Sequence, residues 1–312
     1  MGKMNGVYLP LVTPFYDGYV DLQSLERLVA HYAGTGIAGI VLLGTTGESP
    51  TVDASEQKTI VEAVIDMIGG SLPIYVGIGG NSTRDVAHTI ESFDLLPVAG
   101  YLLVTPYYNR PSIDGLIEHF RVVAGSTGRT IIAYNVPYRT GINLPNDALF
   151  EIVESMPNVR AVKDSTGNIM QSLDLLQRAP EELAVLTGED SLYFTSLANG
   201  AAGGILAASH IATKTFVEVA AAIDKDELTR AREIWRSISP IIPTLFAESN
   251  PMPLKYCLWR LGLIRSPECR LPLTTVSTGL AATLDEFVAA APNAKGEAPW
   301  SLLLQVLRSS LL

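Results

Sequence analysis

The stretch VRAVKDSTG, residues 159–167, shows most clearly how this chain folds, because an apolar run passes directly into a polar loop. The pattern predicts a β-strand with Lys163 at its carboxyl end. A lysine held among apolar residues loses its proton more readily, and a neutral amine can attack a carbonyl carbon to form a Schiff base. The alternative is a lysine that merely ends the strand and reaches for solvent or a carboxylate. The other lysines have ordinary helical, loop or terminal contexts: Lys3, Lys58, Lys214, Lys225, Lys255 and Lys295.

The same succession of strand, loop and helix recurs eight times between residues 7 and 223. Strands are predicted at 7–12, 40–43, 74–78, 101–104, 130–134, 159–163, 183–186 and 204–207. Helices are predicted at 22–32, 55–68, 83–95, 112–124, 146–154, 169–178, 191–199 and 213–223. Eight such units close most naturally into a (β/α)8 TIM barrel. A doubly wound sheet is disfavoured, because no GxGxxG motif follows the first strand.

The hydrophobic period becomes purely helical after the last of these units. We therefore expect a catalytic barrel over residues 1–225 and a C-terminal helical appendage over residues 226–292, with helices at 228–238, 241–246 and 252–261. Residues 293–312 form a small-residue linker and a short apolar tail, which we expect to pack on the chain itself or on another subunit.

Composition excludes several classes of protein. The formal net charge is −10 and no cluster of Lys and Arg occurs, which argues against nucleic acid as a partner. Cys257 and Cys269 are too few for a disulfide framework and have no histidines at zinc-ligand spacing, so a reducing compartment fits best. The sequence also lacks the apolar run of a signal peptide or of a membrane span. These features predict a cytoplasmic protein.

Polar residues follow the predicted strands at the end where a TIM barrel places its active site. Hydroxyls in a GTTG turn suit a carboxylate, tyrosines suit proton transfer, an arginine suits a second carboxylate, and a lysine supplies a nucleophile. Each motif alone is also explained by capping, packing or surface charge, and their joint position at strand ends favours function. The residues are Thr45, Thr46, Tyr107, Tyr108, Tyr134, Arg139, Lys163, Gly188, Glu189 and Ile205.

The motifs GTTGES, VTPYYNRP, YNVPYRTG, AVKDSTGN, TGED and GGIL occur in this order between residues 44 and 206. In order and spacing they resemble the dihydrodipicolinate synthase and N-acetylneuraminate lyase family of class I pyruvate-dependent aldolases. The resemblance covers residues 5 to about 290 and implies that the chain condenses pyruvate with L-aspartate semialdehyde. It also implies that no metal or separate cofactor is needed, and that the active species is a homotetramer, a dimer of dimers.

The resemblance further implies a role for each motif residue. Lys163 would form the Schiff base with pyruvate, and Tyr134 would relay protons with Thr45 and with Tyr108 donated across a tight dimer interface. Thr46 would bind the carboxylate of pyruvate and Arg139 that of the aldehyde. Gly188 and Ile205 would line the pyruvate pocket with backbone groups.

Two features depart from the pattern expected of a lysine-inhibited synthase. The candidate allosteric residues Ser49, Asn81, Asp85 and Tyr107 fit such a site, whereas Ala54 and Gln57 replace larger groups, so inhibition by lysine is expected to be weak or absent. Tyr138 stands where a smaller residue is common in the synthase. The alternatives are therefore an aldolase, lyase or dehydratase acting on a 2-keto-3-deoxy sugar acid, and a non-catalytic ligand-binding protein on the same scaffold. The second alternative would predict loss of the lysine or of the proton relay, and both are present.

Overall fold

The computed structural model describes residues 4–290 and contains a closed barrel of parallel strands, which confirms the predicted (β/α)8 TIM barrel. Around the barrel the strands follow the order β1, β10, β9, β8, β7, β6, β5, β4 and back to β1. Their bounds are β1 Gly6–Pro10, β4 Gly39–Leu42, β5 Ile74–Ile78, β6 Gly100–Val104, β7 Thr130–Asn135, β8 Val159–Asp164, β9 Ala184–Thr187 and β10 Gly203–Ile205. A small hairpin, β2 Phe15–Tyr16 and β3 Tyr19–Val20, follows the first strand and was not predicted.

Helices cover the outside of the barrel and continue into the C-terminal region. Their bounds are α1 Leu22–Ala33, α2 Ala54–Ile68, α3 Thr83–Phe93, α4 Ile113–Gly125, α5 Pro137–Thr140, α6 Asn146–Ser155, α7 Ile169–Arg178, α8 Tyr193–Ala198, α9 Thr213–Ile223, α10 Leu228–Ile238, α11 Ile242–Leu245, α12 Met252–Arg260 and α13 Thr278–Ala290. Short 3-10 turns occur at Thr45–Gly47, Ser49–Thr51, Asp190–Leu192, Ala208–His210 and Ser239–Ile241. Helices α5 and α13 were not predicted from the sequence.

Local sequence signals explain why the helices begin where they do. Helix α2 opens with a capping box, in which the Asp53 carboxylate accepts the N–H of Glu56 at 2.9 Å and Glu56 accepts the N–H of Asp53 at 3.1 Å. The buried face of α2 then carries Ile60, Val61 and Val64 at helical spacing. The helical spacing of apolar residues that predicted this helix therefore also forms its buried face.

Two apolar cores lie on either side of the strands. One fills the barrel interior and includes Tyr8, Tyr75, Leu102, Tyr134 and Leu186. The other lies between the strands and the surrounding helices and extends into the C-terminal region through Leu254, Leu258, Leu284 and other buried residues. The C-terminal helices therefore share one core with the barrel.

A neutral histidine joins the ends of the first and last barrel strands. His210 Nε2 accepts the backbone N–H of Val12 at 3.2 Å, while His210 Nδ1 donates to the carbonyl oxygen of Ala207 at 2.8 Å. Burial lowers the pKa of His210 to about 4, so the ring stays neutral and can both accept and donate. Strand β10 ends at Ile205, before the predicted end at residue 207, and the chain then enters the 3-10 turn that carries this histidine.

A buried ion pair attaches the C-terminal region to the second barrel loop. The ammonium group of Lys255, on α12, pairs with the carboxylate of Glu48, and their side chains are 0% and 1% exposed. Lys255 Nζ also donates to the carbonyl oxygen of Glu268 at 2.7 Å and lies 4.1 Å from the ring centre of Phe15. The other Glu48 oxygen accepts the N–H of Arg270 at 3.0 Å. The expectation that Lys255 has an ordinary helical context was therefore wrong.

The predicted boundary between residues 225 and 226 remains a prediction. The linker and tail predicted at residues 293–312 lie outside the described residues, as do Lys3 and Lys295.

Replacing Lys255 with methionine should lower the free energy of unfolding by about 3–5 kcal/mol, because Glu48 would remain as an unpaired buried carboxylate. A urea titration measures this change. The matched control is Lys58→Met, which removes an exposed pair with Glu62 at 3.8 Å and should change stability by less than about 1 kcal/mol. Equal effects of the two substitutions would show that the buried pair does not stabilise the fold.

Candidate active site

A cavity of about 350 Å³ opens beyond the carboxyl ends of the barrel strands. The predicted residues that line it are Thr45, Ser49, Tyr107, Tyr134 and Arg139. They come from three segments of the chain, which follow β4, follow β6, and span the end of β7 and α5, and the parallel order of the strands brings these segments to one face. The structure therefore gathers these five predicted residues at the expected end of the barrel, whereas Thr46 and Lys163 do not line this cavity.

Lys163 and Tyr134 lie side by side on neighbouring strands. They are register partners between β8 and β7, and both are nearly buried, at 7% and 5% exposure. The Lys163 Nζ atom lies 4.3 Å from the centre of the Tyr134 ring. Among the residues that the structure describes, no carboxylate lies within ion-pair distance of Lys163. This lysine is therefore buried without the partner that a structural lysine normally has.

Gly188, after β9, lets the neighbouring strand approach the lysine closely. A Cβ atom at this position would lie 2.1 Å from Ser165 Oγ and 2.6 Å from Lys163 Cε. Both distances are far below van der Waals contact, so only glycine fits without displacing these side chains. The Ser165 hydroxyl is buried and has no hydrogen-bond partner within residues 4–290. Ile205, the last residue of β10, is 1% exposed and belongs to the apolar core inside the barrel.

The GTTGES turn is held by residues from the C-terminal region. Residues Thr45–Gly47 form a 3-10 turn, and Glu48 follows with φ of +54°, a left-handed conformation that non-glycine residues seldom adopt. Thr46 is 3% exposed, and its hydroxyl oxygen accepts the Asn250 side-chain N–H at 2.9 Å. Sequence reasoning missed both Glu48 and Asn250. Asn250 lies between the helices predicted at 241–246 and 252–261, where no site residue was expected.

The two tyrosines after β6 take different positions. Tyr107 lines the cavity and is 38% exposed. Tyr108, predicted to complete the proton relay, is 88% exposed, does not line the cavity of its own chain and has φ of +74°. The structure thus brings Thr45 and Tyr134 together and presents Tyr108 on the surface.

A second cavity, of about 520 Å³, adjoins the first and shares Arg139, Ser249 and Asn250 with it. Its walls also include Gly188, Glu189, Asp190 and Glu248. Arg139 lies on the short helix α5, and its guanidinium group lies 5.3 Å from the ring centre of Tyr138. One cationic side chain thus stands between two cavities, and three carboxyl groups line the second.

Burial perturbs two of these carboxyl groups. It raises the pKa of Asp190 to about 7, and the Asp190 carboxyl oxygen accepts the N–H of Ala208 at 2.6 Å. Burial also raises the pKa of Glu189; Asp164 adds to the rise, while the charges of Lys163 and Arg139 oppose it. The two predicted site cations therefore favour the ionised form of Glu189, while burial and Asp164 favour its protonated form.

Two of the four candidate allosteric residues line the first cavity. Ser49 and Tyr107 line it, whereas Asn81 and Asp85 are exposed. The Asn109 side chain donates to the carbonyl oxygen of Asn81 at 2.9 Å and so ties the loop of Tyr107 to that of Asn81. A regulatory role for these residues remains a prediction.

Within residues 4–290 no cluster of three or more His, Cys, Asp or Glu side chains is arranged to hold a metal ion. In the same part of the chain, every helix is too short or too polar to cross a membrane.

The profile of the "Dihydrodipicolinate synthetase family" matches residues 3–291. The chain is 43% identical over 286 residues to 4-hydroxy-tetrahydrodipicolinate synthase 2 of Clostridium acetobutylicum, an alignment that covers 92% of this chain and 100% of the relative. The crystal structure of dihydrodipicolinate synthase from Aquifex aeolicus superposes with a TM-score of 0.89 at 35% identity, covering 92% of this chain and 97% of that one. A synthase from Acinetobacter baumannii, complexed with pyruvate, superposes with a TM-score of 0.88 at 35% identity and covers 91% and 98%.

Proposed function

Because the chain belongs to the dihydrodipicolinate synthetase family, we propose that it condenses pyruvate with L-aspartate semialdehyde to give 4-hydroxy-tetrahydrodipicolinate, a step of lysine and diaminopimelate biosynthesis. The chain covers the full length of its Clostridium acetobutylicum relative, so the similarity includes both the barrel and the C-terminal helices. A relative complexed with pyruvate supports the choice of the first substrate.

The position of Lys163 is the observation that carries this proposal. The ammonium group is nearly buried at a strand end, next to the Tyr134 ring, on a side chain packed closely against Gly188, and has no carboxylate partner in the described part of the chain. A lysine in such surroundings is available as a nucleophile, whereas a paired lysine is not.

The reaction begins when the Lys163 nitrogen bonds to the carbonyl carbon of pyruvate and the carbonyl oxygen leaves as water. The resulting iminium group withdraws electrons, so the methyl carbon loses a proton and the iminium is converted into an enamine. The enamine carbon attacks the aldehyde carbon, and the aldehyde oxygen takes up a proton to become the hydroxyl group. The amino nitrogen of the semialdehyde then bonds to the iminium carbon, and the bond to Lys163 breaks. The ring closes and the free lysine returns.

The proposed binding roles follow the position of each group. The GTTG turn, with Thr46, binds the carboxylate of pyruvate, and Gly188 and Ile205 line the same pocket. Arg139 binds the carboxylate of the semialdehyde, because its guanidinium group borders both cavities. Tyr134 and Thr45 relay the protons.

The same proposal includes the cofactor requirement, the cellular location and the oligomeric state of the protein. The covalent Schiff base on Lys163 takes the place of a cofactor, and the protein acts in the cytoplasm as a homotetramer built from two tight dimers. The exposed position of Tyr108 favours the assembly, because its hydroxyl could reach the relay only from a neighbouring subunit.

Pyruvate followed by borohydride should irreversibly attach a pyruvate-derived mass to Lys163. The reduction converts the iminium into a stable amine, which peptide mass spectrometry locates. Lys163→Ala should lose the adduct and the activity together, while Lys58→Met, which removes an exposed lysine that pairs with Glu62, should keep both. Unmodified wild-type protein would contradict the aldolase mechanism.

Arg139→Ala should lower kcat/KM for L-aspartate semialdehyde by about tenfold to more than a hundredfold, because a charge-assisted contact contributes about 1.5–3 kcal/mol. Adduct formation between pyruvate and Lys163 should be unchanged, because the GTTG turn binds that carboxylate. Steady-state kinetics and adduct mass measure the two halves separately. Loss of pyruvate binding with unchanged dependence on the aldehyde would favour a sugar-acid aldolase instead.

Tyr108→Phe and Lys163→Ala should each be inactive alone and should regain activity when the two chains are co-expressed. In a mixed dimer, the chain that keeps Lys163 receives Tyr108 from its neighbour, so random pairing should restore about a quarter of the sites. Purified mixtures are assayed for pyruvate consumption, and sedimentation velocity checks that they are oligomeric. Absence of recovery in an oligomeric mixture, or a fully active monomer, would refute donation across an interface.

A further inference from the structure

The second cavity contains one carboxylate that has no partner. Of the three carboxyl side chains in its wall, Asp190 accepts the N–H of Ala208, and Glu248 accepts the N–H of Ser277 at 3.1 and 3.2 Å. The Glu189 carboxylate accepts no hydrogen bond and forms no ion pair within residues 4–290, although the residue is half-buried. A half-buried carboxylate without a partner is unfavourable in the empty protein and favourable for binding a cation.

Arg139 is the cationic side chain of the same cavity, and it too lacks an ion pair in the described part of the chain. The charge of Arg139 opposes the rise in the pKa of Glu189, yet the two side chains form no ion pair within residues 4–290. The cavity therefore offers one free positive group and one free negative group, which together match a zwitterion better than a simple acid.

We propose that Arg139 and Glu189 form a zwitterion site, in which Arg139 binds the α-carboxylate of the aldehyde substrate and Glu189 binds its α-ammonium group. The inference rests on the proposed function and assigns Glu189 as the residue that selects an amino-acid aldehyde over an aldehyde without an amino group. A hydroxylated sugar acid offers no cation, so it would leave the Glu189 charge uncompensated.

The ring-closure step explains why a group that binds the amino nitrogen should lie where Glu189 does. In that step the amino nitrogen bonds to the iminium carbon attached to Lys163, so the nitrogen must be held on the Lys163 side of Arg139. Glu189 follows Gly188, which packs against the Lys163 side chain, and it borders the same cavity as Arg139, as this path requires. Before it attacks, the ammonium group must also release a proton, and a carboxylate in contact with it can take that proton.

The test uses Glu189→Gln, which keeps the size and an acceptor oxygen of the side chain and removes its charge. We expect KM for L-aspartate semialdehyde to rise by about tenfold or more, because a contact between charged groups is lost. The inhibition constant of 4-oxobutanoate, the same aldehyde without the amino group, should change by less than about twofold, because its carboxylate still binds Arg139. The pyruvate adduct on Lys163 should form as in the wild type, which shows that the variant is folded.

Two further variants complete the test. Glu248→Gln is the matched control, because this carboxylate borders the same cavity but is already bound to the Ser277 N–H, so KM should stay at the wild-type value. Glu189→Asp retains the charge and should restore most of the preference for the amino aldehyde.

The outcomes separate the inference from the proposed function. If Glu189→Gln leaves KM unchanged, or weakens both aldehydes equally, Glu189 does not bind the ammonium group and the inference is wrong. If the wild-type protein forms the pyruvate adduct but does not consume L-aspartate semialdehyde, the proposed function fails and the inference fails with it. Selective weakening of the amino aldehyde by Glu189→Gln, with rescue by Glu189→Asp, supports the inference.

Discussion

The buried ion pair between Glu48 and Lys255 is the interaction on which the site depends. Two charges removed from water are tolerated only when nearly all of their hydrogen-bonding capacity is used. Here the carbonyl oxygen of Glu268, the N–H of Arg270 and the ring of Phe15 complete the environment. Because Glu48 also has a left-handed backbone conformation, the pair keeps the turn that begins at Thr45 in one shape. The loop proposed to bind pyruvate is thus stabilised from the C-terminal region.

The two buried lysines, Lys163 and Lys255, differ in role because only Lys255 has a carboxylate partner in the described residues. Burial lowers the pKa of Lys255, and the negative charge of Glu48 opposes this effect, so its nitrogen is committed to an ion pair. Lys163 is similarly buried but faces the Tyr134 ring without a carboxylate beside it in the described residues. The same side chain serves as a structural cation in one place and is available as a nucleophile in the other.

The fold could be predicted because its signals are local. Strand β5, helix α7 and helix α9 begin and end at the predicted residues. Their bounds depend on apolar periodicity and capping, which involve residues close together in the sequence. The partners of Glu48 and Thr46 could not be predicted, because they lie more than 200 positions away in the chain. The position of Lys163 and Tyr134 at neighbouring strand ends followed from the barrel, whereas the exposure of Tyr108 depends on a loop conformation that no periodicity encodes.

The proposed chemistry is divided between the strands of the barrel and its loops. Lys163 and Tyr134 belong to the strands, whose geometry is common to (β/α)8 barrels and does not determine which aldehyde binds. Arg139, Glu189 and Asn250 come instead from α5, from the loop after β9 and from the C-terminal region. Substitutions there can change the charge pattern of the second cavity without disturbing the strands. In the proposed mechanism, a change of aldehyde needs a change only in the charges at Arg139 and Glu189, while the bond-forming groups stay the same.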